Sequence, residues 1–506
     1  MSSLRIGGVP ISAITRRNEA DPHQTARRAL AFGWRHAVFI VVLGLGAVLR
    51  LIAWTAYQPA IIVLADSNGY LRTMVSFAER KQLRPALYPA FLKVIMSLDS
   101  LAIVTGLQHL LILLAAVGLY CLLLRLGVHR VVAAVGVAPV LLDAYQINLE
   151  QHILSEALFQ IFVVGAVLLL LWSPKPSVWA SGMAGLLLAL GSLTRFMALG
   201  AIPLALLYLL VRKGGWRRFG AMAMGIVMPL VAYAVWNSGA TGEYAITDRS
   251  GHVFYATKVA RFADCRGVSL PEFERQLCID TPAAERRSAY PPWNKQSPLA
   301  DLDVPPGADE NAIVGSFNRR MILRQPLDYI RLVAVDLAAF FSWRSPAEQE
   351  SVRVTRWQFF ERLSQVKGVP GDLRRSRGAP PAEYGLEETF RMDRPRAAFL
   401  RSYQRYGYQP GFIATILVVL ALLGGTFGRG LRQSQDLRIE CLLLAFAGLA
   451  LYLFAALFAT FHFRYTISTI PLFGPAGVLG ATLLFNRASE IGSARRAPGK
   501  NTISRS

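Results

Sequence analysis

Long apolar stretches separated by short polar segments make up most of this chain. A helix of roughly 20 apolar residues crosses a hydrocarbon core about 30 Å thick, and a helix satisfies its own backbone hydrogen bonds there. The pattern therefore predicts an all-α polytopic membrane protein. The predicted spans are residues 37–58, 101–124, 130–146, 152–172, 178–194, 197–211, 219–237, 411–427, 437–460 and 465–485.

Basic residues give the predicted orientation of these spans. The chain has a formal net charge of +22, and its Lys and Arg residues concentrate at the ends of apolar segments. Basic segments next to spans stay in the cytoplasm. We therefore place residues 1–36 and the tail 486–506 in the cytoplasm. This use of charge points to membrane lipids as partners and gives no reason to expect nucleic acid.

This orientation divides the rest of the chain into four parts. Residues 37–237 form an N-terminal transmembrane module that contains a first external loop, 59–100. Residues 238–410 form a small mixed domain outside the membrane, because Gly, Pro and charged residues interrupt their apolar clusters. Residues 411–485 form the C-terminal transmembrane helices.

One segment of the external domain is ambiguous. Residues 329–343 are apolar, yet they include Arg331 and Asp336 and are short for a span. An interfacial helix is the better prediction. A true span here would raise the predicted count from ten to eleven and reverse the sidedness of the basic tail.

The first external loop has helical periodicity. After Asp66, apolar residues recur at helical spacing at Tyr70, Leu71, Met74, Val75 and Ala78. This predicts an amphipathic helix on the membrane surface. A second surface helix is predicted after the prolines of the segment 84–89.

Asp66 is the main candidate for chemistry because it lies at the start of this helix on the external face. An aspartate in that position commonly caps the first turn, which contributes about 1 kcal/mol. A carboxylate at the rim of a cavity can also act as a general base. Both roles remain open from the sequence.

A second group of polar residues surrounds the external turn after the third span. Glu156 lies in an apolar segment, where an ionisable group suggests a functional or paired role, although a hydrogen bond between helices is the alternative. Glu150 and His152 precede it. Asp66 and His152 are candidate ligands for a divalent metal, but their spacing matches no diagnostic metal motif.

Three arginines fall on the external side, against the positive-inside tendency. They are Arg50, Arg195 and Arg464. Snorkelling towards headgroups explains such residues one at a time. Three on the face that holds Asp66 suggest instead a site for a lipid phosphate.

Two of the four cysteines, Cys265 and Cys278, lie close together in the external domain. In an oxidising compartment such a pair can form a disulfide, and two free thiols are the alternative.

The order of these features resembles the GT-C glycosyltransferases, in particular the bacterial aminoarabinose transferases and protein O-mannosyltransferases. The resemblance extends through much of the chain, and its specificity lies in the order and sidedness of short motifs. The matching positions are Arg50, Asp66 to Tyr70, Arg84 to Pro89, Glu156, Thr194–Arg195, Arg464–Tyr465 and Pro471.

The resemblance implies a GT-C-like helical bundle in a bacterial cytoplasmic membrane, with its active site facing the periplasm. Such enzymes move a sugar from a polyprenyl-phosphate donor to a hydroxyl of a lipid, glycan or protein acceptor, usually with inversion. By this resemblance Asp66 is the base, and the residues implied in donor binding are Arg50, Arg195, Arg464, Tyr88 and Tyr465.

One departure from the resembling proteins affects the acidic residues. Many relatives have two adjacent acids in the first loop, whereas Ser67 follows Asp66 here. Glu150 or Glu156 would then supply the second carboxylate. No cofactor is certain, and a divalent metal remains a candidate. The alternative functions are a lipid-linked glycan ligase or polymerase, and a lipid or glycan transporter.

Overall fold

The computed structural model of the chain describes residues 5–6, 9–10, 33–62, 66–75, 84–241, 244, 246–247, 250–286, 296–342, 357–361, 390–429 and 437–496. Within these residues the protein is a bundle of apolar helices with a smaller, irregular domain on one side.

A helix is present at each of the ten predicted spans, and two of the spans, 130–146 and 465–485, each contain two helices. These helices are Ala37–Ala56, Leu101–Arg125, Arg130–Leu142, Ala144–Glu150, Glu156–Leu171, Val178–Thr194, Ile202–Val211, Trp216–Thr241, Gly411–Phe427, Leu437–Phe458, Arg464–Ile467 and Ile470–Arg496. A 3₁₀ helix, Phe196–Ala201, leads into Ile202–Val211.

Four of the described helices are long and apolar enough to cross a membrane by themselves. They are Ala37–Ala56, Leu101–Arg125, Trp216–Gly239 and Leu437–Phe458. Arg130–Leu142 and Ala144–Glu150 make a fifth if they form one span bent by 49°. The chain is therefore multi-pass by the length and composition of its helices, while the count of ten stays a prediction.

Asp143 explains the bend. Its backbone is extended, and its carboxylate Oδ1 accepts hydrogen bonds from the backbone N–H groups of Tyr145 and Gln146, both at 2.9 Å. An aspartate that caps a helix start in this way ends one helix and begins the next.

Small residues allow the closest helix contacts. Gly411–Phe427 packs against Ile470–Arg496, and a Cβ atom on Gly424 would lie 2.3 Å from the carbonyl oxygen of Gly480. Side chains would separate the two backbones at this crossing. Such close approach through glycine is typical of membrane helices.

The first external loop contains the helices Asp66–Val75 and Leu87–Ile95, followed by the 3₁₀ turn Met96–Leu98. Tyr70, Leu71 and Met74 are buried, as the predicted apolar face requires. Val75 is 51% exposed, so it departs from that face. Ala78, predicted on the same face, lies outside the described residues.

The external domain has its own hydrophobic cluster around Tyr255 and Phe317. Cys265 and Cys278 form a disulfide there, with Cα atoms 6.0 Å apart. The described helices of the domain are Ser250–Phe254, Ala260–Phe262, Glu272–Arg275, Glu310–Arg324, Pro326–Ala339 and Arg394–Gln404, with a π-helix at Tyr255–Val259 and a 3₁₀ turn at Ala283–Glu285.

The contacts that join this domain to the membrane helices include a strand pair and a side-chain hydrogen bond. The strands Tyr57–Gln58 and Arg391–Met392 pair antiparallel, directly after the first span. The helix predicted at 329–343 is found at Pro326–Ala339, and the Tyr329 hydroxyl donates to the carbonyl of Leu457 at 2.9 Å. A further two-stranded pair, Arg5–Ile6 with Val9–Pro10, lies near the N-terminus.

Candidate functional site

Asp66 begins the first helix of the external loop, and both of its carboxylate oxygens pair with arginines. Oδ1 contacts Nη2 of Arg84, and Oδ2 contacts Nη1 of Arg464. The Asp66 side chain is only 13% exposed. Burial opposes its ionisation, but the charges of Arg464 and Arg84 outweigh burial and hold the pKa of Asp66 below its ordinary value. Asp66 is therefore an ionised carboxylate enclosed by two cations.

Arg464 connects Asp66 to the second carboxylate, that of Glu156. Arg464 Nε lies 3.5 Å from Glu156 Oε1, and Arg195 Nη1 donates to the same oxygen at 2.6 Å. Glu156 is 1% exposed. Basic and acidic groups thus alternate in the order Arg84, Asp66, Arg464, Glu156, Arg195, and we call this set the charged cluster.

Each member of the charged cluster lies near the end of a helix. Asp66, Glu156 and Arg464 are the first residues of their helices. Carboxylates are stabilised at that end by the helix dipole. Arg195 follows Val178–Thr194 with an extended backbone, φ −151° and ψ 127°, which turns its side chain away from the helix course. The breaks between helices therefore bring charges from four regions of the chain together.

A cavity of about 310 Å³ opens beside the charged cluster. Its lining includes three arginines and two tyrosines, namely Arg84, Arg195, Arg464, Tyr70 and Tyr465. Its apolar lining comes from Pro85, Phe196, Met197, Val253, Phe254, Phe454, Ala455, Phe458 and Ala459. Thr194, Thr247 and Ser250 complete the lining, so the cavity combines three cations with a mainly apolar surface.

Several buried polar atoms at this site have no hydrogen-bond partner among the described residues. They are Nε of Arg195, Nε of Arg464, Oε2 of Glu156 and Oδ1 of Asn68. Buried polar groups are normally satisfied, and unsatisfied ones often mark a site that binds a ligand. Nε of Arg464 lies 3.5 Å from Glu156 Oε1, too far for a good hydrogen bond, so the two carboxylates do not fully pair the arginines.

Aromatic rings support the arginines. Arg195 and Arg464 lie over the ring of Tyr465, at 5.3 and 5.5 Å. Arg464 also lies 5.3 Å from the ring centre of Trp357, and Arg84 lies 5.4 Å from that of Tyr70. Such cation–π contacts orient a guanidinium without using its N–H groups.

Arg50 and Glu150 are placed in a different network from the charged cluster. All five N–H groups of Arg50 donate, to Glu150 and to three backbone carbonyls. The Glu150 carboxylate also contacts His109 at 2.7 Å and Gln146 at 2.9 Å. Arg50 is 2% exposed and Glu150 1%. These contacts leave Arg50 without a free donor for a phosphate.

Tyr88 and His152 are buried and are not among the residues that line the cavity. Tyr88 packs edge-on to Tyr70 with ring centres 4.8 Å apart, and its hydroxyl donates to Gln108 at 2.9 Å. His152 is buried and its Nδ1 lies 2.7 Å from the carbonyl of Asn148. Within the described ranges no group of three or more His, Cys, Asp or Glu side chains is arranged to hold a metal ion. A metal on Asp66 and His152 stays a prediction.

Among the site residues that sequence reasoning missed are Arg84 as a charged member, Tyr70 as cavity lining and Trp357 beneath Arg464. Arg84 carried the same signal as the other three arginines, a basic residue in a segment predicted to lie outside the membrane. Nothing local to Trp357 distinguished it, because its contact with Arg464 depends on how distant segments fold together.

No protein-family model matches the chain, and no curated protein matches it. The chain is similar to solved structures of the oligosaccharyltransferase of Archaeoglobus fulgidus. The apo form shares 12% identity at a TM-score of 0.41, covering 92% of this chain and 52% of the archaeal one.

A second structure of the archaeal protein, with an inhibitory peptide and a dolichol-phosphate, gives 12% identity and a TM-score of 0.40, covering 94% and 52%. The chain thus spans about half the length of the archaeal enzyme. Similarity at this level does not assign a function.

Proposed function

We propose that this protein is an integral-membrane glycosyltransferase that moves a sugar from a polyprenyl-phosphate donor to an acceptor hydroxyl on the extracytoplasmic face. The observation that carries the proposal is the cavity, which joins three arginines to an apolar lining. A polyprenyl phosphate has the matching shape, an anionic head on a hydrocarbon chain. The order of motifs that resembles the GT-C enzymes supports the same reaction.

The formal charge of the cluster suits a phosphodiester. Three guanidinium groups and two carboxylates give +3 − 2 = +1 at neutral pH. The phosphodiester of a polyprenyl-phosphate sugar carries one negative charge. The bound donor would therefore leave the site close to neutral, which favours binding in a poorly solvated cavity.

Asp66 is the proposed general base. The acceptor hydroxyl attacks the anomeric carbon and gives its proton to Asp66, while the bond from that carbon to the phosphate oxygen breaks and its electron pair stays on the phosphate. The site then carries +2, since Asp66 is neutral, and the released lipid phosphate approaches −2. Arg195 and Arg464 would stabilise the growing negative charge, a form of electrostatic catalysis.

Glu156 has a different proposed part. It contacts Arg195 and Arg464, so it would set the direction of both guanidinium groups towards the phosphate. Arg50 and Glu150, whose hydrogen bonds are taken up by each other and their neighbours, would support the external turn without contacting the donor. Tyr465 would line the donor site, and Tyr88 would hold Tyr70 in place.

The test uses purified protein and a panel of polyprenyl-phosphate sugars, with release of polyprenyl phosphate as the readout. We expect release by the wild type and a loss of at least 10²-fold in Asp66→Asn, the usual scale for general-base catalysis. Arg464→Gln should lose turnover as well. Asp264→Asn, which removes an arginine-paired carboxylate on the exposed surface, is the matched control and should keep full activity.

The same panel separates the alternative functions. Full turnover by Asp66→Asn would remove the base and contradict the mechanism. Movement of the lipid across a vesicle membrane without bond cleavage would indicate a transporter. Transfer of a whole glycan from a diphosphate-linked lipid, with no reaction of monophosphate donors, would indicate a ligase or polymerase.

A further inference from the structure

Asp66 and the donor phosphate would need the same two guanidinium groups. Asp66 already contacts Arg84 and Arg464, and both arginines line the cavity. A carboxylate and a phosphate are both anions with oxygens that accept from such forks. The carboxylate of Asp66 therefore occupies contacts that an entering phosphate would make.

A base held in this way is poorly prepared for its reaction. The two arginines keep the pKa of Asp66 below its ordinary value, with burial acting in the opposite direction. General-base catalysis is most effective when the pKa of the base is near the working pH. Some event must weaken the contacts of Asp66 with the arginines before it can take a proton from a hydroxyl.

We propose that the phosphate of the lipid donor displaces the Asp66 carboxylate from Arg84 and Arg464, so that donor binding itself releases Asp66 to act as base. This inference rests on the proposed function. It makes Arg84 a donor-phosphate ligand, a role that the sequence did not suggest. It also gives the reaction an order, because Asp66 accepts the acceptor proton only after the donor is bound.

The surroundings of Arg84 and Arg464 favour exchange of the Asp66 carboxylate for a phosphate over a fixed salt bridge. Arg84 is 31% exposed at its side chain, so it can reorient towards the cavity. Arg464 is held by the rings of Trp357 and Tyr465, and its Nη1 is the atom that contacts Asp66. A phosphate oxygen can therefore replace the carboxylate at Nη1 without a large movement of the guanidinium group.

Displacement predicts an unusual mutant phenotype. Asp66→Asn removes the competing charge, so it should bind a long-chain polyprenyl phosphate more tightly than wild type while losing turnover. We expect about tenfold tighter binding, in line with loss of one charged hydrogen-bond competitor. A residue that merely stabilised the arginines would give the opposite result, since its loss would disorder the site.

The experiment measures binding of a long-chain polyprenyl phosphate to the full chain in nanodiscs, using tryptophan fluorescence, with the uncharged polyprenol as the probe control. The variants are Asp66→Asn, Arg84→Gln and the double variant, with Asp264→Asn as the matched carboxylate control. Arg84→Gln should bind the phosphate about tenfold more weakly. The gain from Asp66→Asn should shrink in the Arg84→Gln background, because the two residues act on one contact.

Equal or weaker binding by Asp66→Asn would overturn the proposal, as would unchanged binding by Arg84→Gln. If Asp66→Asn does not fold, Asp66→Ser carries the same expectation, because it also removes the charge. The binding assay tests the displacement, and the turnover assay tests the proposed function, so the two can fail independently. A protein that shows the exchange with polyprenyl phosphate but releases none from any sugar donor would contradict the proposed function and leave the displacement intact.

Discussion

Replacement of Asp336 by Asn should strongly destabilise the external domain. Asp336 accepts hydrogen bonds from Lys258 and from Arg261, the latter at 2.7 and 3.2 Å. Lys258 is fully buried within the π-helix Tyr255–Val259. The substitution leaves a buried ammonium and a guanidinium facing a neutral amide. Loss of one partner from a buried ion pair costs about 3–5 kcal/mol.

Lys258→Met is the matched control. It removes one cation but keeps Asp336 with the two hydrogen bonds of Arg261. Arg261 still neutralises Asp336, so no buried charge is left unpaired, and the cost of burying the Lys258 ammonium is removed. We therefore expect a change in unfolding free energy within about 1 kcal/mol of zero, clearly smaller than the cost of Asp336→Asn.

The pH dependence of stability gives a second magnitude, the net cost of burying the Lys258 ammonium beside Asp336. Burial lowers the pKa of Lys258 from 10.5 to about 8, although Asp336 opposes the shift. Between these values the unfolded chain binds more protons, so stability should rise with pH across that window and fall as pH drops through 8. A difference of about 2.5 units corresponds to about 3 kcal/mol.

The assay is thermal unfolding of purified protein in nanodiscs from pH 7 to 10.5. Wild type should gain stability above pH 8, and Lys258→Met should show a flatter profile. Phe254 lines the cavity and directly precedes this π-helix, so Asp336→Asn should also weaken polyprenyl-phosphate binding. The reasoning is refuted if Lys258→Met costs as much as Asp336→Asn, or if both variants keep the wild-type pH profile.

Three further outcomes are expected. Glu150→Gln should lower the unfolding free energy by about 3–5 kcal/mol, because it leaves Arg50 buried without its counter-charge, and thermal unfolding measures this. Replacing Cys265 and Cys278 together by Ser should cost about 3 kcal/mol and make the melting temperature insensitive to reductant, since the disulfide closes a loop with a sequence separation of 13. Arg195→Lys should weaken polyprenyl-phosphate binding about tenfold, because an ammonium cannot reach Glu156 and a phosphate as a planar fork does.

Hydrophobic periodicity predicted the helices well because it is a local property. Every predicted span coincides with a helix, and the first-loop helix begins at Asp66 in the structure. The sequence pattern did not show where a predicted span is broken into two helices. The predicted span 130–146 divides at Asp143, whose capping of the next helix depends on its conformation and which also accepts from the backbone of Gln409, distant in sequence.

Charge pairing was harder to predict because it depends on contacts between distant residues. Asp66 and Arg464 are 398 positions apart, and Arg50 and Glu150 are 100 apart. The positive-inside argument predicts an external location for them. Which arginine faces a cavity and which is enclosed by its own partners depends on helix packing, and no local pattern encodes that.

The buried pair Arg50 and Glu150 is nevertheless connected to the charged cluster by a chain of hydrogen bonds. Glu150 accepts from Gln146, Gln146 exchanges hydrogen bonds with Gln160, and Gln160 donates to the carbonyl of Ile467 at 2.7 Å. Ile467 ends the short helix that Arg464 begins.

A buried network of this kind, with its donors and acceptors matched, fixes the relative position of the elements that it joins. Arg50 and Glu150 would therefore keep the helix of Arg464 at the height where its guanidinium meets Asp66. The charges that looked equivalent in the sequence thus divide into a set enclosed within the bundle and a set at the cavity, and the second set is the one we propose as reactive.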